Sequence, residues 1–385
     1  RQISTKNYSY FKINQICINE LGSLSCDLIN YYNKKENKNK VLFSFKISCI
    51  DSKIKVGNDL LIELINNQNF SDEQRLYSRL QEIKNNNLLS ISDKGHSVAL
   101  VRAYSFIDKG FYDKDIMNGI GYLDFINNLC DNFKTLKDDI IKRLYNVKNM
   151  ISISNLIVHM TGDLNSFNNC FKYVNEFKAH IGNTSIYNQM EFVPNPHVEA
   201  IKAPYNVNYC AKVGIYNDEF NSSSRVLENA LSKDYLWLNV RVHGGAYGVM
   251  LNVGNNNLLG FTSYRDPNID STLKAYDDIV DYIKDFNPND DELLKYKIGA
   301  LSNLQMVLHV KNKGNLALKL FLSGRSYEDR CSDLENIINA TNEDLVKQLS
   351  YYKDALKTNS ICVLGNKEKI DKSNIKFDVK RNLTN

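Results

Sequence analysis

A chain of 385 residues is long for one hydrophobic core, so about two domains are expected, and 43% hydrophobic with 24% charged side chains is ordinary for a soluble globular protein. A formal net charge of +4 is too small to argue for nucleic acid or an anionic membrane as partner. No apolar run approaches the roughly 18 residues of a membrane span.

The chain opens on Arg1, without an initiator Met or a targeting segment, and reads as strand-like at once between Tyr8 and Glu20, as a piece cut from a longer protein would. INQICINELGSLSCDLINYY and KVLFSFKISCI then predict antiparallel strands about the polar stretch NKKENKNK. Helical periodicity begins near Val56. Ser71 with Gln74 predicts a capping box for a helix carrying Leu76, Leu80 and Ile83. Further helices are expected over Asp115 to Phe133, Leu136 to Val147 and Leu164 to His180, with a strand in SISNLIVHM before the last of them. NTSIYNQMEFVPNPHVEA holds two of the five prolines and no clean period, which places a connector at 186–207 between domains at 1–185 and 208–385.

The second half repeats this order. Tyr205–Val213 reads as a strand, and SSSRVLENALSKDYLWLNVRV as a helix with Leu227, Leu231, Tyr235 and Leu238 on one face, ended by Gly244 and Gly245. YGVMLNVG and LLGFTSYRD form a hairpin, Ser271 to Phe286 an amphipathic helix, and TNEDLVKQLSYYKDALKTNSICVLGN a capped helix and a strand. That last segment echoes DDIIKRLYNVKNMISISNLIVHMTGD, so the fold class expected is α+β, two related domains, each an antiparallel sheet with helices packed on one face.

Few residues carry chemistry by spacing. The eight cysteines show no C-x-x-C and read as free thiols, and none of the six histidines sits at a two-ligand spacing, so no metal ligand is assigned. His197-x-Glu199 and His96 read as structural. No G-x-S-x-G or phosphate-cradling loop is present. The stretch RVHGGAYG at 241–248 offers two readings. Arg241 can simply complement a helix C-terminus and Tyr247 be a strand aromatic. Alternatively the guanidinium and phenol face one corner, where they can bind a peptide carbonyl or the oxyanion formed from it, while Gly244 and Gly245 let an extended backbone pass close by.

YLWLNVRVHGGAYGVM and FTSYRDPNIDSTLKAYDDIVDYI resemble the pitrilysin/insulinase superfamily of zinc metallopeptidases, in its presequence protease and falcilysin branch. FSDEQRLYSRLQEIKNNNL, KGHSVALVRAYSFIDKG and MNGIGYLDFINNL resemble that branch's third domain, and NVNYCAKVG the opening of its fourth. The resemblance implies the C-terminal half of a peptidase whose four α+β domains close into a chamber. It implies that zinc is bound by the missing N-terminal half, whose H-x-x-E-H motif does not occur here, and that the chain by itself is inactive. It implies that Arg241 and Tyr247 are catalytic, reaching the scissile carbonyl of short unstructured peptides, with Gly244 and Gly245 binding substrate. Tyr264 to Asn268 would be mainly structural. The partners implied are the N-terminal half of the same peptidase and peptide substrates, with no nucleic acid and no membrane. Family members occupy mitochondria, plastids and digestive vacuoles, so such an organelle is expected. The same residues are also compatible with a non-catalytic peptide-binding scaffold.

Overall fold

The computed structural model describes residues 1–154, 156–183, 191–254 and 256–384. Helix α1 (Tyr10–Glu20) stands where the sequence reads as strand. Ser9 caps it by accepting from the Lys12 amide, and Ile13, Ile16 and Cys17 pack at i, i+3, i+4 in one small core. The isoleucines imitate strand composition, but a strand would turn Ile16 away from Ile13 and Cys17. Strands β1 (Ser23–Asn33) and β2 (Lys38–Ser48) then form the expected antiparallel ribbon, its polar turn closed with Asn37 at φ 51°. Helices α2 (Ile54–Asn66), α3 (Glu73–Asp93), α4 (Gly95–Ser105), α5 (Lys109–Asn118), α6 (Ile120–Asp131), α7 (Phe133–Met150) and α8 (Leu164–His180) complete this half.

Three local expectations change here. The cap of α3 is Asp72, which accepts from the Arg75 amide, while the Ser71 amide turns back to Asn69. The single helix expected from Asp115 is two, because Gly119 leaves helical geometry and the Asp115 carboxylate takes the Ile120 and Gly121 amides instead. SISNLIVHM forms no strand among its described residues, only a bridge from Ser152 to Gly182. The echo between the two halves therefore extends to the helix and not to the strand after it.

The second half contains β3 (Val198–Ala203), β4 (Tyr209–Ile215), α9 (Ser224–Ala230), a π-helical segment (Leu231–His243), β5 (Gly248–Val253), β6 (Leu258–Tyr264), α10 (Asp270–Lys284), α11 (Asp290–Leu304), α12 (Val310–Leu322), α13 (Tyr327–Ile338), α14 (Asn342–Lys347), α15 (Leu349–Thr358), β7 (Ser360–Asn366), α16 (Lys367–Lys372) and β8 (Val379–Asn382). Strand β3 falls inside the stretch read as connector, which therefore cannot run to 207; the expected boundary at 185 lies outside the described residues. The strands form one sheet in the order β5-β6-β4-β7-β3-β8. It is antiparallel from β5 to β7, but β3 pairs in parallel with both β7 and β8, so the sheet is mixed.

The central strands are buried on both faces, with successive side chains turned to opposite sides. Cys210, Ile361 and Val363 face the second half's own helices, with Leu227, Leu231, Leu273, Tyr276 and Tyr352. Tyr209, Ala211, Val213, Cys362 and Leu364 face Ala99, Ala103, Tyr104, Ile120 and Leu123 of α4 and α6. Both faces are thus covered, one by each half, and so the central strands are buried along nearly their whole length, Lys212 included. The contact leaves no room to spare: a Cβ on Gly214 of β4 would lie 1.8 Å from the Ala355 carbonyl oxygen of α15. Gly214→Ala is expected to cost about 1–3 kcal/mol, read as a lower urea midpoint; an unmoved midpoint would mean α15 lifts off the sheet freely.

Candidate substrate site

Arg241 and Tyr247 sit on either side of one corner, where the π-helical segment meets β5. The segment's i→i+5 closure changes which residues it buries. The expected stripe ended at Leu238, whereas Leu231, Leu236 and Val240 are buried and Leu238 is 46% exposed. The wider turn adds about a residue to each repeat of the buried face. It closes in the same widened form: the Gly245 amide donates to the Arg241 carbonyl at 2.8 Å and the Ala246 amide to the Val240 carbonyl at 3.1 Å. Each bond spans one residue more than its counterpart in an α-helical Schellman end.

The two glycines have different reasons to be there. A Cβ on Gly244 would lie 2.5 Å from the Val240 carbonyl, so the helix end itself demands glycine. Gly245 holds φ +78° and is exposed, with only the Pro267 ring at 3.4 Å from the position of a Cβ. The corner is tied from behind. Asn268 Nδ2 donates to the Gly244 carbonyl at 2.6 Å, and the Tyr247 amide donates to the Tyr264 carbonyl at 3.0 Å. The buried Asp266 exchanges backbone hydrogen bonds with Asn208 at 2.8 Å, and its carboxylate accepts from the Asn268 amide and from Thr272 Oγ1. Burial raises the Asp266 pKa, and those hydrogen bonds pull against it. Tyr264 to Asn268 thus act as scaffolding for the corner.

The side chains form an aromatic row. The Arg241 guanidinium carbon lies 3.9 Å from the Trp237 ring centroid and 5.5 Å from that of Tyr247. Tyr247, 64% exposed, meets Tyr264 edge-on at 5.7 Å, and Tyr264 meets His96 of α4 edge-on at 4.8 Å. Burial lowers the His96 pKa, which keeps the ring neutral near pH 7, and its Nδ1 is buried without a partner among the described residues. Among those residues neither the Arg241 guanidinium nor the Tyr247 hydroxyl has a hydrogen-bond or ion-pair partner. A cation and a phenol with unused donors, fixed by ring contacts at an exposed corner, can together take one oxygen acceptor.

Sequence reasoning brought Arg241 and Tyr247 to this corner but passed over Trp237, which lies four residues before Arg241 and is the chain's only tryptophan. His197 is elsewhere, tilted against Phe106 with ring centroids 3.8 Å apart, and Glu199 is sealed in an ion pair with Arg102. All eight cysteines are free thiols. Among the described residues no three His, Cys, Asp or Glu side chains converge as a metal centre needs, so no chemistry is drawn through zinc on this chain. Among the same residues no helix is long and apolar enough to cross a membrane.

The family model described as PreP C-terminal domain matches residues 198–364, and a second, for the segment associated with peptidase M16 subgroup C, matches residues 1–129. The chain is 32% identical over 382 residues to Protein HypA of Clostridium perfringens (strain 13 / Type A), covering 97% of this chain and 39% of that protein. It is 26% identical over 401 residues to Presequence protease 1, chloroplastic/mitochondrial, of Arabidopsis thaliana, covering 99% of this chain and 36% of that protein. The chain thus spans under two fifths of the length of these two relatives, one bacterial and one organellar, and the pair singles out no compartment. The fold matches the inactive domain of peptidase M16 from Pseudomonas fluorescens with a TM-score of 0.61 at 15% identity, covering 95% of this chain and 85% of that one. The chain belongs to the pitrilysin/insulinase-type peptidase family, as the C-terminal half of its presequence protease branch.

Proposed function

We propose that this chain serves a zinc metalloendopeptidase that degrades short unstructured peptides in a closed chamber, with the metal held by the N-terminal half of the same protein. The observation that carries the reading is the pair of unpartnered donors, Arg241 and Tyr247, held by rings at one exposed corner. Their part is to donate to the carbonyl oxygen of the bond to be cut, and more strongly to the oxyanion it becomes. Gly245, exposed and without a side chain, lets the backbone of an extended peptide approach.

The test uses the full-length gene product with unstructured peptides and with a folded protein as control, followed by mass spectrometry. Peptides are expected to be cut and the folded control spared, with cutting stopped by a chelator and restored by zinc. Cleavage that continues in chelator would remove the metal from the reading. Peptides held but left intact with zinc present would favour the non-catalytic scaffold.

A further inference from the structure

Building on the reading of Arg241 as a donor to substrate, we propose that Trp237 is its positioning residue, holding the guanidinium in the orientation that presents its N–H groups to the peptide. Trp237 precedes Arg241 by four residues, so the two side chains share one face of the helical segment. The indole is 44% exposed, outside the core that takes Leu236 and Val240 on either side of it in sequence. Its ring instead lies 3.9 Å from the guanidinium carbon, closer than any other ring-to-cation contact among the described residues.

An arginine without a carboxylate partner has many rotamers available to it, and each must be frozen out when it donates. Contact with two rings, Trp237 at 3.9 Å and Tyr247 at 5.5 Å, limits that freedom. The planar fork then keeps its N–H groups directed past the ring edges. Tyr247 is itself buttressed by Tyr264, so the row Trp237, Arg241, Tyr247, Tyr264 is anchored at one end by the sheet and at the other by the helical segment. The widened helical repeat falls on the same residues, as π-helical turns often do at functional sites.

The experiment measures peptide turnover by the full-length protein carrying Trp237→Ala, Trp237→Phe, Arg241→Ala, or Trp237→Ala with Arg241→Ala, with melting temperatures as a check on folding. Trp237→Ala is expected to lower kcat about five- to tenfold with KM unchanged, and Trp237→Phe, which keeps a ring face, to restore most of it. In the Arg241→Ala background the Trp237 change is expected to add nothing, because there is no guanidinium left to orient. A raised KM, or a loss that persists in that background, would make Trp237 a substrate contact and overturn the proposal. Full activity in Trp237→Ala with a loss in Arg241→Ala would overturn the positioning role and leave the function of Arg241 standing. No loss in Arg241→Ala would sink both.

Discussion

In the full-length protein, Arg241→Ala and Tyr247→Phe are each expected to lower kcat about 10²–10³-fold, or about 2.7–4 kcal/mol of transition-state stabilisation. KM is expected to move little. The donors meet a neutral carbonyl in the ground state and a developing negative charge in the transition state, so their strength grows as the reaction proceeds. Tyr247→Phe removes only the hydroxyl and keeps the edge-on packing against Tyr264, which separates chemistry from scaffolding. Arg241→Lys is expected to resemble Arg241→Ala, since an ammonium lacks the planar fork that contacts the Trp237 and Tyr247 rings. The double variant should lose less than the product of the single losses, because two donors sharing one oxygen act as a unit. Steady-state kinetics on a defined peptide decide the matter: wild-type kcat in both single variants would remove the pair from the reaction. Both side chains lie outside the core, so neither change should shift the melting temperature appreciably.

The corner was legible because its signals are local. Two glycines after an apolar helix announce an end, and a cation and an aromatic six residues apart across that end have few ways to avoid each other. The phase of the helix before it was not legible. Leu227, Leu231, Tyr235 and Leu238 fit an α-helical stripe, and only packing against the sheet reveals that the turn is widened and that Leu236 and Val240 are buried instead. The same limit hid Trp237, whose meaning depends on where Arg241 points. At Tyr10–Glu20 isoleucine-rich composition suggested a strand, and the i, i+3, i+4 spacing of Ile13, Ile16 and Cys17 argued the other way. Strand β3 was lost for a different reason. The prolines before it signal a connector, while Val198, Glu199, Ala200 and Ile201 are buried only because β7 and β8 pair beside them and helices of both halves cover the two faces. Long-range closure of that kind leaves no periodic trace in six residues. Glu199 read as structural beside His197, and it is one arm of a buried ion network that the local spacing does not announce.

That network supplies the largest expected change in stability. Arg102 of α4 donates to Asp115 of α5 at 2.7 Å and to both carboxylate oxygens of Glu199 on β3 at 2.7 and 3.2 Å. Both acidic side chains are only 2% exposed. Burial works against the Arg102 charge, but the two carboxylates outweigh it and raise its pKa above the ordinary arginine value. Asp115 keeps the Ile120 and Gly121 amides as further partners, while Glu199 has only Arg102 among the described residues. Arg102→Ala therefore strands two carboxylates in the layer between the helices of the first half and the sheet of the second. The expected cost is about 3–5 kcal/mol in the free energy of unfolding, the range for a buried pair broken from one side. Urea titration followed by circular dichroism reads it, and a cost below about 1 kcal/mol would mean that water reaches the network. Removing the charge demand as well, with Arg102→Met, Asp115→Asn and Glu199→Gln together, should recover part of the loss, because isolated buried charge is what costs most. Helix α4 also carries His96 against Tyr264, so the single variant should loosen the support behind Tyr247 and lower kcat modestly at temperatures where the protein is still folded.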